Sequence, residues 1–201
     1  MKYFLLLIIV LGVGINIFFA LTNRKKNKKM PLSGEKGYVA QVMCGGTDTV
    51  APRLYKYDGI RDCAAIAKLH GGPKGCKYGC MGQGNCAAAC DKGAIHIIGG
   101  VAAVDRSKCD ACGKCVSVCP QGIIKLIPAD KRFWIGCSSC DDPQTTVSYC
   151  NIGCVACGEC IRVCANNAIG ISDGRAIINP DLCNNCGECA IACLRQTVWK
   201  I

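Results

Sequence analysis

Cys109-Asp110-Ala111-Cys112-Gly113-Lys114-Cys115-Val116-Ser117-Val118-Cys119-Pro120 decides how this chain is read. Its cysteines follow an x2, x2, x3 spacing. The same spacing returns at Cys154, Cys157, Cys160 and Cys164, and again at Cys183, Cys186, Cys189 and Cys193. With 21 cysteines in 201 residues, the chain is either a disulfide scaffold or a metal scaffold. The N-terminal sequence separates the two. Residues 3–22 form an apolar run broken only by Asn16, long enough to cross a bilayer as one helix. Only Lys2 and the amino terminus precede it, while Arg24, Lys25, Lys26, Lys28 and Lys29 follow it. Basic flanks lie on the cytoplasmic side, so this run reads as an anchor with the rest of the chain in the cytoplasm. A cleaved signal peptide has the opposite polarity and a shorter apolar core. A reducing compartment does not sustain a disulfide framework, and the thiols therefore read as metal ligands.

The repeated spacing resembles that of bacterial ferredoxins, in which three thiolates hold one [4Fe–4S] cluster and the fourth reaches the other cluster of a pair. Zinc ribbons instead separate two C-x2-C pairs by a long loop. Pro120 follows Cys119 as the bacterial motif expects; Asp91, Ala165 and Leu194 follow the other fourth cysteines. Gly113, Gly158 and Gly187 sit between ligands, where backbone N–H groups can turn toward sulfur.

Beyond the basic run the chain is duplicated. Residues 39–43 and 132–136 are strand-like runs, ending at Cys44 and before Cys137. Cys76-x3-Cys80-x5-Cys86-x3-Cys90 aligns with Cys150-x3-Cys154-x5-Cys160-x3-Cys164. Each block leads into a hairpin, over residues 94–104 with Gly99-Gly100 at the turn and over residues 168–178 with Asp173-Gly174. Each hairpin then enters a full motif. The reading is α+β: an anchor (1–23), a basic linker (24–37), and two tandem ferredoxin-like modules of two clusters each (38–130 and 131–201). The hydrophobic share of 51% overstates the core, because it counts the cysteines and the anchor; metal–thiolate bonds supply much of the folding free energy of such modules.

Crossed ligation gives four sites: Cys76, Cys80, Cys86 and Cys119; Cys109, Cys112, Cys115 and Cys90; Cys154, Cys157, Cys160 and Cys193; Cys183, Cys186, Cys189 and Cys164. The first block carries Gln83 where the second has Cys157, so it needs another thiolate. Cys76 and Cys63 are the candidates, and Cys76 is preferred because a short loop costs less entropy to close. Cys44, Cys63, Cys137, Cys140 and Cys150 remain. They read as buried free thiols, as a fifth cluster or metal site, or as a regulatory thiol or disulfide.

The formal charge of +10 is not a nucleic-acid signal. Four clusters at about −2 each bring the holoprotein near neutral, five of the positive charges flank the anchor, and aromatic residues are sparse. His70 and His96 read as surface groups. No C-x-x-C-H, dinucleotide fingerprint or P-loop occurs. The chain reads as a conduit for electrons with no catalytic residue of its own.

The anchor, the basic flank, the duplicated double-ferredoxin region, the stretch from Cys76 to Cys86 and the Cys137…Cys150-x3-Cys154 arrangement together resemble the B subunit of the Rnf complex. That complex is an ion-translocating, membrane-bound ferredoxin:NAD oxidoreductase. One departure stands out: Lys29 runs almost directly into the Cys44 region, without the small C-G-x-C-G-x-x-x-C cluster domain usual in that family. The resemblance implies a subunit that takes low-potential electrons from soluble ferredoxin and passes them to membrane subunits. A polyferredoxin of a hydrogenase or formate dehydrogenase and a membrane-bound iron–sulfur redox sensor are the alternative readings.

Overall fold

The computed structural model describes Gly34, residues 37–69 and residues 71–200. The anchor run, the basic run and His70 lie outside the described residues. Among the described residues no helix is long and apolar enough to cross a membrane.

The duplication read from the sequence appears as repeated architecture. In the first half, β1 (Tyr38–Val42) pairs antiparallel with β4 (Ile124–Pro128), Val42 opposite Ile124. Between them lie α1 (Cys63–Ala67), α2 (Asn85–Ala88), the hairpin β2 (Ile95–Ile98) and β3 (Val101–Val104), and α3 (Lys114–Ser117). The second half repeats the plan. β5 (Phe133–Ile135) pairs with β8 (Val198–Lys200), Phe133 opposite Lys200. Between these come α4 (Pro143–Tyr149), α5 (Glu159–Arg162), the hairpin β6 (Ile169–Ser172) and β7 (Arg175–Ile178), and α6 (Glu188–Ala192). Two tandem ferredoxin-like modules result, each closed by pairing its first strand with its last.

The hairpin turns follow from local chemistry. Gly99 and Gly100 have φ of 55° and 76°, and Asp173 and Gly174 have 49° and 75°. Two successive positive φ values make a turn whose twist matches that of the flanking strands, and Gly and Asp reach that region at low cost.

Each module has a small core in which sulfur replaces hydrocarbon. In the first, Ala40, Val42, Ile95, Val101, Ile123 and Ile124 pack with Cys80, Cys86 and Cys115. In the second, Phe133, Ile135, Ile169, Ala176, Ile178 and Val198 pack with Cys160 and Cys189. The modules abut through main-chain and side-chain hydrogen bonds, a Lys77–Asp141 ion pair at 3.3 Å and the Trp199 indole. Gly45 N–H donates to the Gly136 carbonyl at 3.0 Å, and the Ser138 hydroxyl donates to the Met43 carbonyl at 2.8 Å. The Trp199 ring covers both glycines: a Cβ on Gly45 would fall 1.7 Å from it, and one on Gly136 2.9 Å. Neither position has room for a side chain.

Candidate iron–sulfur sites

The cysteine motifs share one backbone conformation. Ala111, Ala156 and Asn185, each just before a motif's second cysteine, have φ of 58°, 51° and 65°. Gly113, Gly158 and Gly187 follow at 75°, 82° and 88°, and each opens a one-turn helix that buries the third cysteine: Cys115, Cys160 or Cys189. The degenerate block does the same with Gly82 at 73° and Gly84 at 88°, and Cys86 is its buried cysteine. Gly84 was not singled out in the sequence, although Gly-x-Cys occurs at all four places. Left-handed residues on both sides of the second position curl the loop into a concave turn with its N–H groups inward.

Backbone N–H groups outside these loops meet sulfur, from β1 and β7 and from four residues beyond each of Cys90, Cys164 and Cys193. Ala40 donates to Cys109 Sγ, Ala94 to Cys90 Sγ, Ala168 to Cys164 Sγ, Ala176 to Cys154 Sγ and Thr197 to Cys193 Sγ, each at 3.3 Å. Donors aimed at sulfur favour its thiolate form. The thiols by themselves do not ionise readily. Burial first, and then neighbouring Cys109, Cys112 and Cys90, pushes the Cys115 thiol up to about 11. Burial, then Cys154, Cys193, Cys157 and Cys189, does the same to Cys160, also to about 11. Burial, then Cys183, Cys186 and Cys164, takes Cys189 to about 11. Crowded buried thiols whose backbone donors are already set for thiolate are matched to a cationic iron core, which deprotonates its ligands outright.

The structure therefore brings together Cys90 with Cys109, Cys112 and Cys115; Cys193 with Cys154, Cys157 and Cys160; and Cys164 with Cys183, Cys186 and Cys189. The last four line one cavity of about 20 Å³.

The first group differs from the sequence reading. Cys80, Cys86 and Cys119 line a cavity of about 20 Å³ whose fourth cysteine is Cys63; Cys76 is not among its lining residues. Cys86 is pushed up to about 12, by burial first and then by Cys80, Cys63 and Cys119. Local structure overrides the loop-length argument. Cys63 is the first residue of α1, and its N–H donates to Asn85 Oδ1 at 2.8 Å. Asn85 also donates to Asp62 Oδ2 at 2.6 Å, and Asp62 caps the helix through the Ala65 N–H at 2.7 Å. Asn85 is the residue before Cys86, so these bonds tie Cys63 to the cluster loop. The shorter loop (4 residues against 17, about two doublings) is favoured by only about 1.2 kcal/mol of closure entropy, which the three part-buried hydrogen bonds among Asp62, Cys63, Ala65 and Asn85 outweigh.

Cys76 lies instead with Cys44, Cys137 and Cys150, around a cavity of about 30 Å³ where the modules meet. Cys140 is exposed, its sulfur 3.1 Å from the Arg175 guanidinium. His96 is exposed, as read from the sequence.

Fold and cysteine geometry define a ferredoxin-type iron–sulfur protein. A 4Fe-4S binding domain matches residues 102–125, and a 4Fe-4S dicluster domain matches residues 153–197. The chain is 43% identical, over 157 residues, to the B subunit of the Na+-translocating ferredoxin:NAD+ oxidoreductase complex of Acetobacterium woodii, a match covering 77% of this chain and 47% of that protein. It is 37% identical over 151 residues to the B subunit of the proton-translocating ferredoxin:NAD+ oxidoreductase complex of Clostridium ljungdahlii, covering 75% and 53%. It is 31% identical over 158 residues to the B subunit of the ion-translocating oxidoreductase complex of Methanosarcina acetivorans, covering 78% and 60%. The resemblance to the Rnf B subunit thus holds across three quarters of the chain, and the chain spans about half the length of the curated relatives it matches.

Proposed function

We propose that this chain is the electron-transfer subunit of an Rnf-type complex, tethered to the cytoplasmic face of the membrane by residues 3–22. In this reading it relays low-potential electrons from soluble ferredoxin to membrane subunits, and the whole complex couples that flow to ion translocation. What supports it most is the pair of tandem modules with cysteine quartets on each core, in a chain 43% identical to a subunit of such a complex.

The ligand sets are Cys63, Cys80, Cys86 and Cys119; Cys90, Cys109, Cys112 and Cys115; Cys154, Cys157, Cys160 and Cys193; and Cys164, Cys183, Cys186 and Cys189. Bound [4Fe–4S] groups supply one-electron chemistry. The protein's residues hold them, bury them and aim N–H dipoles at their sulfurs, which tunes the potentials. The pairing of β1 with β4 and of β5 with β8 supports a module boundary near residue 130.

Deleting residues 1–29 tests the tether and the role together. The truncated protein should be soluble, brown and still reducible. In cells carrying only that form, membrane-dependent electron transfer from reduced ferredoxin to NAD should fall sharply. Full activity at matched protein levels would refute the tethered-subunit reading.

A further inference from the structure

Twenty of the 21 cysteines fall into five groups of four; three take all their ligands from ferredoxin-spaced motifs or their fourth cysteines, and a fourth does so with Cys63 standing in for the missing one. The fifth joins the modules. Cys44 follows β1 and Cys137 follows β5; the bond from Gly45 N–H to the Gly136 carbonyl draws these two strand ends together. Cys76 and Cys150 each stand four residues before the first cysteine of a cluster loop, Cys80 and Cys154. Each module therefore contributes the same two positions. Cys44 lies close enough to Cys76 and Cys137 for their charges to interact, and Cys137 likewise faces Cys150.

The surroundings match those of the ferredoxin quartets. The Cys80 N–H donates to Cys44 Sγ at 3.4 Å, and the Cys154 N–H reaches Cys137 in the equivalent way. Gly46 and Ser139 supply second backbone donors to Cys44 and Cys137, and Tyr78 N–H and the Tyr149 hydroxyl face Cys76. The cavity, about 30 Å³, is no smaller than the two of about 20 Å³ lined by ferredoxin quartets. Gly46 and Gly79 also line the cavity, beside Cys44 and Cys76. A counter-charge is present too. Lys74 lines the cavity with its side chain only 5% exposed; its ammonium donates to the carbonyls of Gly46 at 2.5 Å and Gly100 at 3.1 Å, with Asp48 3.5 Å away. A buried ammonium beside four cysteines suits an anionic group between them. Among the described residues no three Cys, His, Asp or Glu are placed to share a single ion. Thiolates of a cubane bind four different iron atoms and do not converge on one point.

We propose that Cys44, Cys76, Cys137 and Cys150 hold a fifth [4Fe–4S] cluster at the junction of the two modules. It adds to the four clusters of the proposed function and gives the modules a shared redox group. Cys80 and Cys154, ligands in the first and third ferredoxin quartets, each donate their own N–H to one of its sulfurs. With clusters bound, the Cys80 and Cys154 N–H groups would give each module's cluster a path of one hydrogen bond and a few covalent bonds to this one for single-electron transfer. The donor is oxidised by one electron and the acceptor reduced by one.

Native mass spectrometry of the full chain, purified anaerobically in mild detergent, counts clusters directly. Five [4Fe–4S] increments are expected, with about 20 iron atoms per chain. Four increments, alone or with one zinc, overturn the proposal. The Cys44→Ser/Cys137→Ser double variant should lose one increment and keep four, and Cys140→Ser should keep all five. A double variant matching the wild type overturns the assignment, and the wild-type count decides even where that variant fails to fold. A five-cluster chain that supports no ferredoxin-dependent electron transfer would sink the proposed function while leaving this site standing.

Discussion

Serine at position 63 is the sharpest probe of the first quartet, because it leaves every ferredoxin-spaced cysteine in place. Serine keeps the size of cysteine but is a harder, poorer ligand for iron. Cys63 begins α1, and through the cluster it closes a loop of about 17 residues to Cys80. On the chain-entropy model, a cross-link over a loop of that size contributes about 3 kcal/mol. Losing it should raise local opening of α1 by a factor on the order of 100, since about 1.4 kcal/mol is tenfold. The Ile66 amide reports this well: its side chain is fully buried, and its N–H bonds the Asp62 carbonyl at 3.1 Å. Hydrogen exchange on anaerobic protein, read by mass spectrometry, should show α1 deprotected in Cys63→Ser and unchanged in Cys76→Ser. Iron should fall by about one cluster in both variants, so exchange is the discriminating measurement. If Cys76→Ser deprotects α1 and Cys63→Ser does not, the placement of Cys63 in the first quartet is wrong.

Crossed ligation predicts that Cys164→Ser alters the cluster of Cys183, Cys186 and Cys189 and spares that of its sequence neighbours Cys154, Cys157 and Cys160. Spectroscopy assigning the altered cluster to the Cys154 site would contradict it. Gly82→Ala should cost about 2–4 kcal/mol, because φ is +73° and a Cβ would meet the Gly100 carbonyl oxygen at 2.6 Å. Gly93→Ala, at φ +58° with nothing within 4 Å, should cost only about 1–2 kcal/mol. Thermal loss of visible absorbance compares them, and equal melting shifts would show that the carbonyl contact is not felt.

That glycine pair shows what sequence alignment alone conveys. Alanine occupies the position of Gly82 in two of the regular motifs, as Ala111 and Ala156, so analogy alone would pass the substitution. The obstacle is the tip of a hairpin from elsewhere in the chain, invisible to a local pattern. The same division runs through the molecule. Both hairpin turns were legible because the residues that set their φ values are adjacent in sequence. The three regular cysteine motifs were legible because a cluster loop needs short, fixed spacings. Cys63 was not, because its place depends on Asp62 and Asn85 meeting across 23 residues, and loop-closure entropy is too shallow a function of length to outweigh such bonds. The quartet at the junction was partly legible: its cysteines stood out as left over, but only the abutting strand ends show which belong together and leave Cys140 aside.

The pairing of first strand with last also dictates an order of events during synthesis. Val42 waits for Ile124, some 80 residues later and so about 4–16 s of translation at ordinary ribosomal speed. Over that interval Cys80 and Cys86 have emerged without Cys119, and the N-terminal half of each module presents unpaired strand edges and bare thiols. Neither module can seal its metal before its closing strand arrives, and the junction cysteines wait longer still, until Cys150. A chain built this way depends on a cellular supply of iron and sulfide that delivers after the last strand is made, or that holds the open halves apart until then.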